Sequence, residues 1–375
     1  MQRAIFFHLL YYVCPRHCRG EHKKLSLFSA SDDVLYSLFF PLHLRHDLGC
    51  GIISVMLLIN MMRRLKIFAK GLFSSTNTTF ITLLKIMVPA LIVIKVLEEI
   101  GAVTWLAEIL DPVMGPIGLP GEAGIIWATC LVANIFTALM VFFTQIDYSS
   151  FTVMQASILA SLMLIGHTLI VEGAISAKVG LNWGLMIVLR IGGALLFGWL
   201  VNITCTELGL LQQPLSLDFV PQPKEDQGLW GWALDQLYGL VFLYVVLLAL
   251  ILLIRIMNKI GLNSILERAL APVLVSLGIS KRAAPMTLIG MTLGLTYGSG
   301  LLIHEAQKDS ISKRDIFLSI CLISLCHSLI EDTLIVMLIG ANLWVIVFFR
   351  LLFALGVVFL INLFVRRRVN TKKQV

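Results

Sequence analysis

The chain repeats itself without a gap at a spacing of 160 residues. His167 recurs as His327, Arg190 as Arg350, Asn182 as Asn342 and Asn202 as Asn362. Ile100-Gly101 recurs as Ile260-Gly261, Pro112-Val113 as Pro272-Val273, Gly118 as Gly278 and Gly180 as Gly340. Matching Leu or Ile would arise by chance in so apolar a chain, so the weight rests on His, Arg, Asn, Gly and Pro. Two copies of one unit must therefore be accommodated, and a duplicated unit in a membrane commonly builds a pseudo-symmetric pair with its site at the interface.

The medium is a bilayer. Apolar residues make up 58% of 375 and the mean hydropathy is +0.91, against roughly 45–50% apolar in soluble chains. Runs near the ~20 residues that cross a bilayer fall at about 80–97, 122–146, 151–175, 182–204, 233–257, 284–303, 315–339 and 342–364. Without water to satisfy the backbone these runs must be helices. They predict an all-α polytopic transmembrane bundle of about eight spans in two homologous repeats, each with an interfacial or re-entrant helix. A β-barrel would instead alternate over ~10 residues.

The formal charge of +7 does not point to nucleic acid, because the basic residues flank the spans. Arg63, Arg64, Lys66 and Lys70 precede the first, and Arg366, Arg367, Arg368, Lys372 and Lys373 follow the last. Such flanks obey the positive-inside rule, which predicts that both termini are cytoplasmic. Cys130, Cys321 and Cys326 lie in apolar runs as small packing residues. Cys14-Pro-Arg-His-Cys18 lacks the second pair that a zinc site needs. No metal and no cofactor are assigned.

Five segments follow. Residues 1–62 form a leader outside the repeat, read either as dispensable or as an extra helix. Residues 63–205 are the first repeat, 206–232 a Pro-rich linker, 233–365 the second repeat and 366–375 a basic tail. Within each repeat a span ends at Ile-Gly, then a more polar segment (102–118 or 262–278) suits an interfacial or re-entrant helix, and three spans follow. Four crossings per repeat would set the copies parallel. Opposite charge on the matching segments, with Glu98, Glu99, Glu108, Asp111 and Glu122 against Lys259, Arg268, Lys281 and Arg282, would suit an inverted pair.

Ionisable groups at mid-helix cost roughly 2.5–3.5 kcal/mol to insert, so those retained need a reason. Gly166-His-Thr-Leu-Ile-Val-Glu172 and Cys326-His-Ser-Leu-Ile-Glu-Asp332 each set an acid five residues after a histidine. His327 and Glu331, four apart, would share a helical face, whereas His167 and Glu172 diverge unless the helix breaks near Gly173. With turns near Gly180 and Gly340, Arg190 reaches the depth of Glu172, and Arg350 that of Asp332. Each pair is expected either as an ion-pair clamp between helices or as part of a solute site. Neither histidine has an evident charge partner. Asn134 and Thr137 in the first copy, with Tyr297 and Ser299 in the Gly-rich stretch of the second, complete the candidate substrate-binding set. No phosphate loop, His-Glu-x-x-His or Gly-x-Ser-x-Gly elbow is present, and no enzymatic activity is expected.

At Gly118-Leu-Pro-Gly-Glu122, the His167–Glu172 segment, Thr296-Tyr-Gly-Ser-Gly300 and the His327–Asp332 segment the chain resembles the nucleoside recognition or Gate-domain family of bacterial membrane proteins. That family includes the gate of ferrous iron transporter B, concentrative nucleoside transporters and spore maturation membrane proteins. The resemblance implies a polytopic inner-membrane protein with two Gate-like copies over about 80–365 and a path for a small polar solute or ion between them. The alternative it carries is a non-transporting membrane assembly factor. Expected partners are the lipid bilayer and that solute, not nucleic acid; a homo-oligomer or a membrane-protein partner is left open.

Overall fold

The computed structural model describes residues 48–145, 148–178, 181–217, 228–294 and 311–372. Met1–Gly71 and Leu72–Val375 form separate compact units; the described part of the first is helical from Leu48 onward. Only helices and one isolated bridge, Thr152 to Pro214, occur among the described residues.

The first copy comprises α1 (Leu48–Glu99), α2 (Ala102–Met114), α3 (Gly121–Val132), α4 (Ile135–Gln145), α5 (Val153–Ile165), α6 (Leu169–Lys178) and α7, which runs from Trp183 to Glu207. The second comprises α8 (Gly228–Lys259), α9 (Leu262–Ser276), α10 (Ala284–Leu293), α11 (Lys313–Leu325), α12 (Glu331–Val336) and α13, from Trp344 to Lys372. α5 and α11 match residue for residue under the 160-residue shift. Their starts match too: Thr152 and Ser312 each cap their helix, with side chains accepting from the backbone N–H of Gln155 and Asp315. Asn182 and Asn342 likewise accept from Gly184 N and Trp344 N.

Part of the run expected over 284–303 lies outside the described residues, and the remaining runs do not all form separate spans. Among the described residues five helices are long and apolar enough to cross, or six if the bent pair formed by α2 and α3 counts as one. Runs fail to form single spans where polar residues interrupt them. The run expected over 122–146 breaks at Ala133-Asn134 into α3 and α4, and the run over 315–339 breaks after Leu325.

α2, extended by a short turn to Ile117, meets α3 at 97°. Small residues permit this approach, as in other membrane helix contacts. A Cβ on Gly121 would stand 2.1 Å from the carbonyl oxygen of Ala107, and one on Gly124 would meet Leu110 at 2.9 Å. At the corner Gly118 has φ +78°, and a Cβ there would collide with Asn202 Oδ1 at 2.3 Å. Asn202 Nδ2 donates to Pro116 O, and Asn362 Nδ2 to Leu277 O, so in each copy the segment that follows α2 or α9 is tied to the last span.

The copies interlock reciprocally. α5 packs on the Trp344–Phe349 stretch of α13, and α11 packs on the Val188–Gly192 stretch of α7. Both stretches are π-helical turns, a local widening often found at functional sites. Asn342 N donates to Ser157 Oγ across this boundary at 2.8 Å, and Phe197 lies against Phe353 with centroids 5.2 Å apart. Large apolar side chains elsewhere, such as Val241, Val245, Phe348, Leu352 and Phe359, are exposed and supply a lipid-facing surface.

Candidate functional site

The site is built where two helices stop early. α5 ends at Ile165 and α6 begins at Leu169; α11 ends at Leu325 and α12 begins at Glu331. Between them Thr168 and Ser328 take positive φ, 41° and 46°, so each chain swings out of helical line directly after its histidine. The breaks are tied down by neighbouring helix ends: Thr168 N donates to Cys130 O and Leu329 N to Met291 O. Trp127 Nε1 donates to Gly166 O at the break and to Leu162 O, which also accepts from Gly166 N.

Both histidines are thereby held alike. Each Nδ1 lies 2.9 Å from a carbonyl one turn earlier, Met163 O for His167 and Ile323 O for His327. A carbonyl only accepts, so each Nδ1 donates and each neutral ring is left with a bare Nε2. These two Nε2 atoms face each other at 3.1 Å across the repeat boundary. Glu172 Oε1 lies 3.3 Å from both, and Asp332 Oδ2 lies 3.6 Å from His167 Nε2. His167, His327 and Glu172 are buried, at 6%, 1% and 7% exposure, while Asp332 is half-buried.

The remaining oxygen of Glu172 forms an ion pair with Arg190 Nη1. Arg190 Nε donates to Ile165 O at 2.9 Å, which fixes the guanidinium to the broken end of α5. Arg350 is equally buried and donates from Nη2 to Thr333 Oγ1 at 3.4 Å. Its Nε and Nη1 have no hydrogen-bond partner among the described residues.

Several expectations are corrected by this geometry. The break lies at Gly166-His167-Thr168, not near Gly173, and it brings Glu172 onto His167. The histidines therefore do have a carboxylate partner. Because His327 precedes α12, the four-residue spacing to Glu331 has no helical meaning; Glu331 is exposed and Asp332 turns inward instead. The clamp expected between Asp332 and Arg350 is replaced by the Arg350–Thr333 bond and by contact of Asp332 with His167, one residue out of phase. Asn134 and Thr137 have a local role: Asn134 Oδ1 accepts from the N–H and hydroxyl of Thr137 and caps α4. Tyr297 and Ser299 lie outside the described residues, as do Gly180 and residues 1–47. Absent from the sequence reading were Thr333, Trp127 and the crossing of the two histidines; the polar Cys326-His-Ser triplet ending an apolar run was the available signal.

One donor atom each from His167, His327 and Glu172 falls within a 4.8 Å cluster. These are metal-ligand types, at positions to which the sequence had assigned no metal.

Fold and site together define a multi-pass helical membrane protein built from two interlocked broken-helix repeats. Residues 80–180 match the Gate family model, described as nucleoside recognition, so the chain carries a Gate-type region that includes His167 and Glu172. The chain is also similar to the uncharacterized membrane protein YvoD of Bacillus subtilis (strain 168), at 29% identity over 292 residues, which span 76% of this chain and 90% of that protein. No solved structure matches it.

Proposed function

We propose that this chain is a non-enzymatic inner-membrane permease whose two repeats enclose a binding site for a small polar solute or ion, with both termini cytoplasmic. The observation that carries this reading is the convergence of His167 and His327, each at the break of a discontinuous helix, at 3.1 Å across the repeat boundary. Discontinuous helices leave backbone and polar side chains unpaired at depth, and membrane proteins tolerate this where the groups line a solute site. A clamp alone would need Arg190 and Glu172; it would not need two histidines presenting bare nitrogens to each other. Gate-type similarity over 80–180 is consistent with a transport-related role.

Proteoliposomes containing the purified chain, assayed for uptake of nucleosides, divalent metals and organic acids, test the reading. Saturable uptake of one class above empty liposomes, reduced in His167→Gln, is expected. Uptake equal to empty liposomes for every class, with protein shown to be inserted and monodisperse, would favour an assembly factor in which the buried ion pair serves only packing.

A further inference from the structure

We infer that the ligand of this site is a divalent transition-metal cation, held by Nε2 of His167, Nε2 of His327 and Oε1 of Glu172. The inference rests on the permease reading for the ion's role as cargo, but the donor geometry stands by itself. Three acceptors face one another without a donor: two bare imidazole nitrogens 3.1 Å apart and a carboxylate oxygen 3.3 Å from each. A single proton can bridge two such atoms. One cation satisfies all three.

The spacing agrees. Donors at about 2.0–2.2 Å around a tetrahedral ion stand about 3.3–3.6 Å apart. Observed separations among the three are 3.1, 3.3 and 3.3 Å, and Asp332 Oδ2, 3.6 Å from His167 Nε2, lies beside this group rather than within it. Two imidazoles and a carboxylate suit Zn²⁺, Fe²⁺, Mn²⁺ or Co²⁺ better than Mg²⁺ or Ca²⁺, which take oxygen ligands, or Cu(I), which takes sulfur.

The surroundings are those of a metal site. Each ligand imidazole is oriented by its Nδ1–carbonyl bond, and Glu172 is oriented by Arg190 through its other oxygen. The C-terminal, electronegative ends of α5 and α11 close on the histidines, which favours a cation. Meanwhile Arg190 offsets the charge of Glu172, limiting affinity. Weak retention suits an ion that must leave again.

The full chain, purified in detergent and stripped with a chelator, is titrated with Co²⁺ alone. About one Co²⁺ per chain should bind, with visible absorption of tetrahedral intensity that Zn²⁺ abolishes. His327→Gln and His167→Gln should each weaken binding by about 100-fold, at or beyond the upper range for outer-shell groups. X-ray absorption of the wild-type Zn²⁺ complex needs no variant; it should show a nitrogen/oxygen shell at about 2.0–2.1 Å with imidazole scattering. Absence of Co²⁺ binding, or a bound metal without imidazole ligands, overturns the inference. Binding without flux in proteoliposomes upholds the site and sinks the permease reading. Flux of an uncharged solute that is indifferent to chelation, with no Co²⁺ bound, sinks the metal and leaves the permease.

Discussion

Thr168 and Ser328 hold the same left-handed backbone conformation, φ 41° and 46°, each directly after the histidine of its repeat. Non-glycine residues held there cost of order 1–3 kcal/mol and persist where the surroundings over-determine them. Here the reversal is what turns each histidine out of the helix line and returns the chain so that Glu172 and Asp332 approach His167. The strain and the site have one origin.

Substituting Thr168→Gly or Ser328→Gly should therefore leave thermal stability in detergent unchanged or slightly raised, because relief of strain offsets the added freedom of the unfolded chain. Thr168→Val keeps the β-branch and with it the strain, and should be no more stable than the native chain. A glycine variant that melts well below the valine variant would show that these positions are not set by their left-handed geometry.

The two buried arginines should respond unequally. Arg190→Met strands the buried carboxylate of Glu172 and should cost about 3–5 kcal/mol, whereas the double change with Glu172→Gln should recover much of the loss. Arg350→Met removes a side chain whose described bond is to Thr333 and should cost less. Melting curves of the four variants decide the matter; equal losses for the two arginines, with additivity in the Arg190–Glu172 cycle, would exclude the pair as drawn.

How far the sequence carried this description depends on the range of the interaction. Caps, bent-helix corners and the two histidine segments were legible because the duplication marks them: residues as different as Gly118, Asn202 and His167 recur together only if one unit is built twice. The break positions were half legible. Each polar triplet after an apolar run signals an end, but a β-branched Thr168 argues against the conformation it adopts. Span boundaries were misread where Asn134 and Cys326-His327-Ser328 interrupt runs that composition alone joins. Least legible was the 3.1 Å contact between residues 160 positions apart, which depends on how two units face each other.

Gly118 and Gly121 separate two kinds of close approach in the bent pair. Gly118→Ala would meet a side chain, Asn202, besides adopting φ +78°, so adding Asn202→Ala should restore part of the lost stability. Gly121→Ala would meet the backbone carbonyl of Ala107, which no side-chain truncation relieves. Both single variants should lower the melting temperature, by an amount in the range of about 1–3 kcal/mol typical of overpacking. Rescue of Gly121→Ala by Asn202→Ala, or its absence for Gly118→Ala, would contradict these contacts.

The pH dependence of flux follows from the protons that compete for the same nitrogens. A ligand imidazole must be neutral, so cation binding displaces any proton held there and strengthens as pH rises. The charged groups facing the two rings are Glu172 from α6, Arg190 from α7 and Asp332 from α12, with Arg350 and the thiols of Cys130 and Cys326 close by. Wild-type flux of a divalent cation into proteoliposomes should thus rise with pH and then level off. His167→Gln and His327→Gln keep a hydrogen-bonding side chain but cannot titrate, so each should give low flux with a shallower pH profile, and the two should resemble each other because both nitrogens serve one ion. Profiles for both variants that overlay the wild type, at matched protein level, would remove the histidines from the path.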